Sequence, residues 1–215
     1  MDILITGFEP FGGDCINPSW EVARALDGQH LGGARVRAQR LPTAFGAAPR
    51  VLASALDETR PGLVVALGQA SGRSEISIER VAVNLIDARI PDNAGDRPQD
   101  QPVIAGAPAA YFSTLPIKAM RDGLRAAGHP AGLSLTAGAF VCNQVFFALQ
   151  HRLAGQGVRS GFIHLPALPE QAARESGSLP SMGLGAQIAA LQLALEIALG
   201  TVNVAAAPDE GAPTS

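Results

Sequence analysis

A three-layer α/β/α sandwich, a single domain with a mostly parallel (mixed) central sheet, is the fold that this 215-residue sequence predicts. Short apolar runs near Gly or Pro alternate with segments of helical period along the chain. Neither an internal repeat nor an interdomain linker divides that alternation. The composition, 47% hydrophobic and 16% charged, fits one compact core.

Taken in order, Ile3–Thr6 reads as a first strand and Asn17-Pro18 as an N-cap with proline in the first turn, opening a helix to about Leu26. A second helix presents Val51, Leu52, Ala55 and Leu56 on one face, and Leu63–Leu67 follows as a buried strand. Ile76–Leu85 alternates and suits an antiparallel or edge strand. The long polar stretch Pro91–Pro108 reads as a functional or flexible loop. A third helix begins at Pro116, shows Ile117, Met120 and Leu124, and stops at Gly128. Leu133–Thr136 is a strand; Val145, Phe146, Leu149 and Leu153 mark a fourth helix ending near Gly155. Phe162–Leu165 is a further strand, and Leu184, Ile188, Leu191, Leu195 and Ala198 mark the last helix. The domain is expected over residues 1–204, with 205–215 an aperiodic, mobile tail.

Several function classes are disfavoured. A net charge of −3 without a basic run argues against nucleic acid. Gln187, Gln192 and Glu196 interrupt the most apolar helix, so no membrane span is expected. The first residues read as a strand and not as a signal peptide. Two cysteines are too few for a disulfide framework, so Cys15 and Cys142 are read as free thiols in a reducing, cytoplasmic setting. No Cys/His cluster has zinc spacing, and no metal is expected. Gly7–Gly13 lacks dinucleotide spacing, and Gly68–Ser74 is one residue short of a P-loop and lacks its Lys.

Cys142 lies where a strand gives way, through Gly138, to a helix. There the unpaired N–H groups and the positive end of the helix favour thiolate, the nucleophilic form. Against this stands the usual fate of a free cysteine, a small buried hydrophobe. Of four histidines, only His164 ends a buried strand, where a core histidine bonded to a carbonyl is the competing reading. Glu79 shares parity with Val81, Val83 and Leu85, which aims it at an apolar face. A buried carboxylate needs a partner; Arg80, of opposite parity, is poorly placed, Arg89 is an alternative, and His164 completes a nucleophile, base and carboxylate set.

The blocks Gly7-Phe8-Glu9-Pro10-Phe11-Gly12-Gly13 with Asn17-Pro18-Ser19, Gly68-Gln69, Glu79–Asn84, Asp87–Asn93, Tyr111–Pro116, Phe140-Val141-Cys142-Asn143, and His164-Leu165-Pro166 with Leu168–Gln171 together resemble the pyroglutamyl peptidase type I family, in order and across nearly the whole of residues 1–199. The resemblance implies a cofactor-free cysteine exopeptidase, commonly a homotetramer, that removes N-terminal pyroglutamate from peptides through a thioester. Carried over by motif, Cys142 is the nucleophile, His164 the base and Glu79 the third member. Phe8, Phe11, Phe140 and Val141 match pocket walls; Asn17, Thr43 and Gln69 match nearby polar positions; Arg89 matches a basic residue that assists the oxyanion, and Asp92 is a supporting acid in the same block. Ala139, Gln144 and Ala167 depart from the family pattern without touching a catalytic position. Two rival readings are a binding protein that keeps the pocket without turnover, and a nucleoside-phosphorylase-like enzyme suggested only by the general α/β architecture.

Overall fold

The computed structural model describes residues 1–174 and 179–202. A seven-stranded sheet runs through the centre. It is formed by β1 (Asp2–Phe8), β2 (His30–Leu31), β3 (Ala34–Leu41), β4 (Leu63–Gln69), β5 (Ile76–Glu79), β8 (Ala131–Ser134) and β9 (Arg159–Leu165), in the order β2-β3-β1-β4-β9-β5-β8. β3, β1, β4 and β9 are mutually parallel. β2 is antiparallel to β3, and β5 is antiparallel to β9 while parallel to β8, so the sheet reverses direction between β9 and β5. A separate ribbon pairs β6 (Val81–Val83) with β7 (Ala110–Phe112). The predicted layering and mixed sheet are therefore present.

Alternating side chains on the strands feed two cores. One face sends Ile3, Ile5, Val65, Leu67, Ile78 and Ile163 against α1 (Pro18–Leu26), α3 (Ile117–Ala126) and α6 (Leu184–Leu199), which follows the short α5 (Pro169–Arg174). The other sends Leu4, Phe8, Val64, Ala66 and Phe162 against α2 (Ala48–Thr59) and α4 (Val141–Leu153). Phe146, Phe147 and Phe162 are fully buried in this second core. Each contributes about 2–3 kcal/mol of apolar burial.

The start of α1 is local chemistry. The Asn17 side chain accepts a hydrogen bond from the Ser19 N–H at 3.1 Å, and Pro18 occupies the first turn. The same region depends on Gly7: a Cβ there would lie 2.2 Å from the Ser19 carbonyl oxygen. α6 ends at Gly200, whose φ of 77° and N–H bonds to Glu196 and Ile197 carbonyls form a left-handed cap.

Two sequence expectations change. Ile76–Leu85 is not one strand, because Arg80 leaves the sheet: its N–H bonds to Ser134 and its carbonyl accepts from Ser113, and β6 then joins the ribbon. The strand expected at Leu133–Thr136 is Ala131–Ser134. β3, passed over in the sequence, alternates arginines and glutamine with small or apolar residues and is covered mainly on one side. Pro91–Pro108 is tied down by backbone bonds, among them Asp92 to Asp96 and Ala88 to Pro98. The tail at 205–215 lies outside the described residues.

Candidate active site

Gly68 is the meeting point of the site. It pairs in register with His164 on the neighbouring parallel strand. A Cβ at Gly68 would stand 2.9 Å from the Cys142 sulfur and 2.8 Å from the Phe162 ring. The sulfur therefore rests over bare backbone, one strand spacing (about 4.8 Å) from the strand that carries His164. Cys142 is the second residue of α4, reached through Gly138, which adopts φ 80° in the turn. Asn143, fully buried, fixes that first turn: its side chain accepts from the Val83 N–H and donates to the Val83 and Leu85 carbonyls.

His164 is 4% exposed and points to the same side of the sheet as Phe162, with the ring centroids 4.9 Å apart. Its Nδ1 is 2.7 Å from Oε1 of Glu79, the last residue of β5, which is completely buried. Arg73 Nη1 donates to the same oxygen at 2.8 Å, and its Nη2 donates to the Thr136 carbonyl at 3.3 Å. His164 is the partner the sequence suggests for Glu79; Arg73, within the Gly68–Ser74 segment that falls short of a P-loop, carries no such sign. Glu79 is buried as expected, although the parity argument stops at Arg80, where the chain leaves the sheet.

The charge states follow from burial and these bonds. Burial pushes the Cys142 thiol up and the negative Glu79 pushes it further, to about 12, with Arg73 opposing them. A helix start alone favours thiolate; the partial burial of Cys142 and the nearby carboxylate outweigh it. Burial lowers His164 below its ordinary value, partly offset by its bond to Glu79. Burial would raise Glu79, but the bonds and charge of His164, with help from Ser134 and Arg73, hold it below the ordinary carboxylate value. The resting site is thus a neutral thiol, a neutral imidazole and a carboxylate. A neutral imidazole held through Nδ1 leaves Nε2 available to take the thiol proton.

α4 opens without a side-chain cap on its first N–H groups. Beside it, Phe140 packs against a tilted Phe11 ring at 5.4 Å and meets Phe45 edge-on at 4.9 Å between centroids. Phe11 and Phe140 are half-buried, whereas Phe8 and Val141 lie inside the second core. The carboxylate of Asp92 accepts from the N–H groups of Phe45, Ala94 and Asp96, so it places Phe45 behind Phe140. Asn17 and Thr43 both bond to Glu9: Asn17 Nδ2 and Thr43 Oγ1 donate to its carbonyl, and the Thr43 N–H donates to its carboxylate. These two residues shape the segment leading to Phe11. Gln69 bonds to Ser71 and accepts from Gln171, which also reaches Asp14. Arg89 is exposed and joins no ion pair among the described residues. Of the departures from the family pattern, Ala139 accepts from the Asp87 N–H and Ala167 from the Met182 N–H, both through backbone. Among the described residues no group of three His, Cys, Asp or Glu could hold a metal, and no helix is long and apolar enough to cross a membrane.

Known proteins resemble this chain over almost its whole length. The family model described as pyroglutamyl peptidase matches residues 1–201. The chain is 57% identical over 197 residues to a pyrrolidone-carboxylate peptidase of Chromobacterium violaceum, covering 92% of each. It is 55% identical over 199 residues to that of Yersinia pestis, again covering 92% of each. Among solved structures, it superposes on pyroglutamyl peptidase I of Bacillus amyloliquefaciens with a TM-score of 0.89 at 41% identity, covering 93% of this chain and 97% of the other. A mutant pyrrolidone carboxyl peptidase from the hyperthermophile Pyrococcus furiosus gives 0.91 at 46%, covering 94% and 99%.

Proposed function

Since the chain belongs to the pyroglutamyl peptidase family of cysteine peptidases, we propose that it removes N-terminal pyroglutamate from peptides, with Cys142, His164 and Glu79 as its catalytic residues. The observation that carries this reading is the sulfur seated over Gly68, in register with an imidazole whose other nitrogen is held by a buried carboxylate.

As Sγ of Cys142 bonds to the carbonyl carbon linking pyroglutamate to the next residue, His164 takes the thiol proton. Negative charge moves onto the carbonyl oxygen, which the uncapped N–H groups at the start of α4 receive. His164 becomes cationic at this stage, and Glu79 stabilises it. The tetrahedral intermediate then expels the amine, which takes the proton from His164 and leaves a thioester. Water, deprotonated by His164, adds to the thioester; cleavage of the C–S bond releases pyroglutamate and restores the thiol. Because thiol and imidazole are both neutral at rest, the proton transfer accompanies attack.

The pyroglutamyl ring packs against the contacting Phe11 and Phe140 rings, with Phe45 behind Phe140. Its lactam bonds backbone and amide groups near Gln69. A site built on those bonds rejects proline by roughly 10⁴. Arg89 and Asp92 support the site from the connection between the two ribbon strands; Asn17 and Thr43 shape the ring pocket through Glu9. The active unit is a homotetramer acting in the cytoplasm, without a cofactor. The catalytic domain is assigned to residues 1–204.

Cys142→Ser is the direct test. It should abolish release of a chromogenic amine from a pyroglutamyl substrate while circular dichroism stays unchanged, and appreciable remaining turnover would refute the nucleophile assignment.

A further inference from the structure

We propose that Arg73 is a fourth, positioning member of this site, acting through Glu79 to fix the carboxylate that orients His164. The inference rests on the peptidase reading above. Its starting point is the sharing of one oxygen. Arg73 Nη1 and His164 Nδ1 both bond to Glu79 Oε1, at 2.8 and 2.7 Å, while Oε2 is buried without a hydrogen-bond partner among the described residues. Were the guanidinium there only to neutralise a buried charge, Oε2 would serve it as well. Bonding at Oε1 instead fixes the rotation of the carboxylate and presents that oxygen to the imidazole.

The second arm of Arg73 strengthens the argument. Nη2 donates to the Thr136 carbonyl, on the connection that runs through Gly138 into α4. One side chain therefore links the carboxylate on β5 to the segment delivering Cys142. The guanidinium is planar and rigid, so it fixes both distances together in a way an ammonium group cannot. Arg73 itself is held by its N–H bond to the Ala70 carbonyl in the turn after β4.

Several charged groups face this network. Glu79, His164 and Cys142 lie on its inner side. Glu75 and Arg73 line a surface cleft of about 380 Å³, and Glu75 has Arg125 at 3.9 Å. Arg73 favours ionised Glu79 and Cys142 and disfavours cationic His164. Removing its charge therefore moves all three titrations to higher pH.

The experiment compares wild type, Arg73→Gln and Arg73→Lys, all in a Cys15→Ser background. It measures kcat and KM against pH, together with the rate at which iodoacetamide alkylates Cys142. For Arg73→Gln the expected result is a kcat about tenfold lower or worse with KM nearly unchanged, because orientation and not substrate affinity is lost. Both limbs of the pH profile move to higher pH, and alkylation at fixed pH slows about threefold or more. Arg73→Lys keeps the limbs near wild type with a partial loss of kcat. Unmoved limbs and an unchanged alkylation rate in folded Arg73→Gln overturn the inference, even if its melting temperature falls. Should Arg73→Gln not fold, the Arg73→Gln/Glu79→Gln double variant, which leaves no unpaired buried charge, is read against Glu79→Gln alone. A residue acting through Glu79 then adds less than about threefold, and a further tenfold loss overturns the proposal. If wild type itself fails to turn over pyroglutamyl substrates, the peptidase reading fails, while the alkylation rates still decide whether Arg73 is coupled to Cys142.

Discussion

The two faces of the central sheet each receive a helix start against a strand glycine, and they use it differently. On one face α1 begins over Gly7, where the helix backbone itself fills the space of a side chain. Its first N–H groups are closed by Asn17 and Pro18. On the other face α4 begins over Gly68, and the space is filled by the Cys142 sulfur. That helix start carries no side-chain cap. The same local device yields a sealed joint in one place and a reactive one in the other. What separates them is whether the turn's hydrogen-bond donors are already engaged, and this requires only a few residue choices.

The largest test of this contrast removes the charge beneath the reactive joint. Glu79→Gln should lower kcat by about 10³–10⁴, because the amide can present its N–H to the imidazole and favour the wrong tautomer. KM should change little, and wild-type turnover would make Glu79 merely structural. The two glycines can then be exchanged for alanine separately. In Gly68→Ala the new methyl displaces the sulfur, and kcat/KM should fall by about 10² with a modest change in melting temperature. Gly7→Ala drives Cβ into backbone, so the loss should appear as about 3 kcal/mol or more of stability. Paired urea titrations and rate measurements would show whether the effects segregate, and equal effects on both properties in both variants would erase the contrast.

Asn17→Ala is a gentler probe of the sealed joint. It should cost about 1–2 kcal/mol from the lost cap. Its effect on kcat/KM should stay below about tenfold and appear in KM, through the loosened Glu9–Phe11 segment. The smallest expected effect is on stability against pH. His164 titrates below its ordinary 6.5 in the folded protein, so the unfolded chain takes up that proton first as pH falls. Stability is lost on going down through this range, and lost further as pH drops below 4.5, because Glu79 is also held low. Cys142 acts in the opposite direction: its thiol is raised from 9.0 to about 12, so alkali ionises the unfolded chain first and weakens the fold above pH 9. Melting temperature should therefore plateau between those ranges, and Cys142→Ser should extend the plateau upward.

What the sequence reveals follows the range of the forces involved. Asn17-Pro18 and the helix after Gly138 are legible because capping and turn chemistry act within a few residues. His164 and Glu79 are legible as candidates because each is a costly residue type in an apolar context, and Cys142 because it opens a helix directly after a strand and a glycine. Arg73 is not, since its bonds reach Glu79 across a turn and Thr136 across 63 positions, with no period to mark them. The break at Arg80 is hidden for a similar reason: alternation continues through Val81 and Val83, and only the pairing partners change. The roles of Asp92, Asn17 and Thr43 in shaping loops depend on backbone donors and acceptors, which carry no residue signature. β3 goes unread because its arginines alternate with small residues and only part of the strand is covered.

The reversal between β9 and β5 has a consequence for anyone who would transplant this chemistry. A parallel neighbour of β9 would finish at the same rim as His164, leaving its terminal carboxylate wetted. Running the other way, β5 finishes inward of the Ser77–His164 pair, so its last residue is dry while the preceding turn stays at the rim with Arg73. A scaffold with every strand aligned could copy the three reactive groups and still deliver a hydrated, poorly oriented acid.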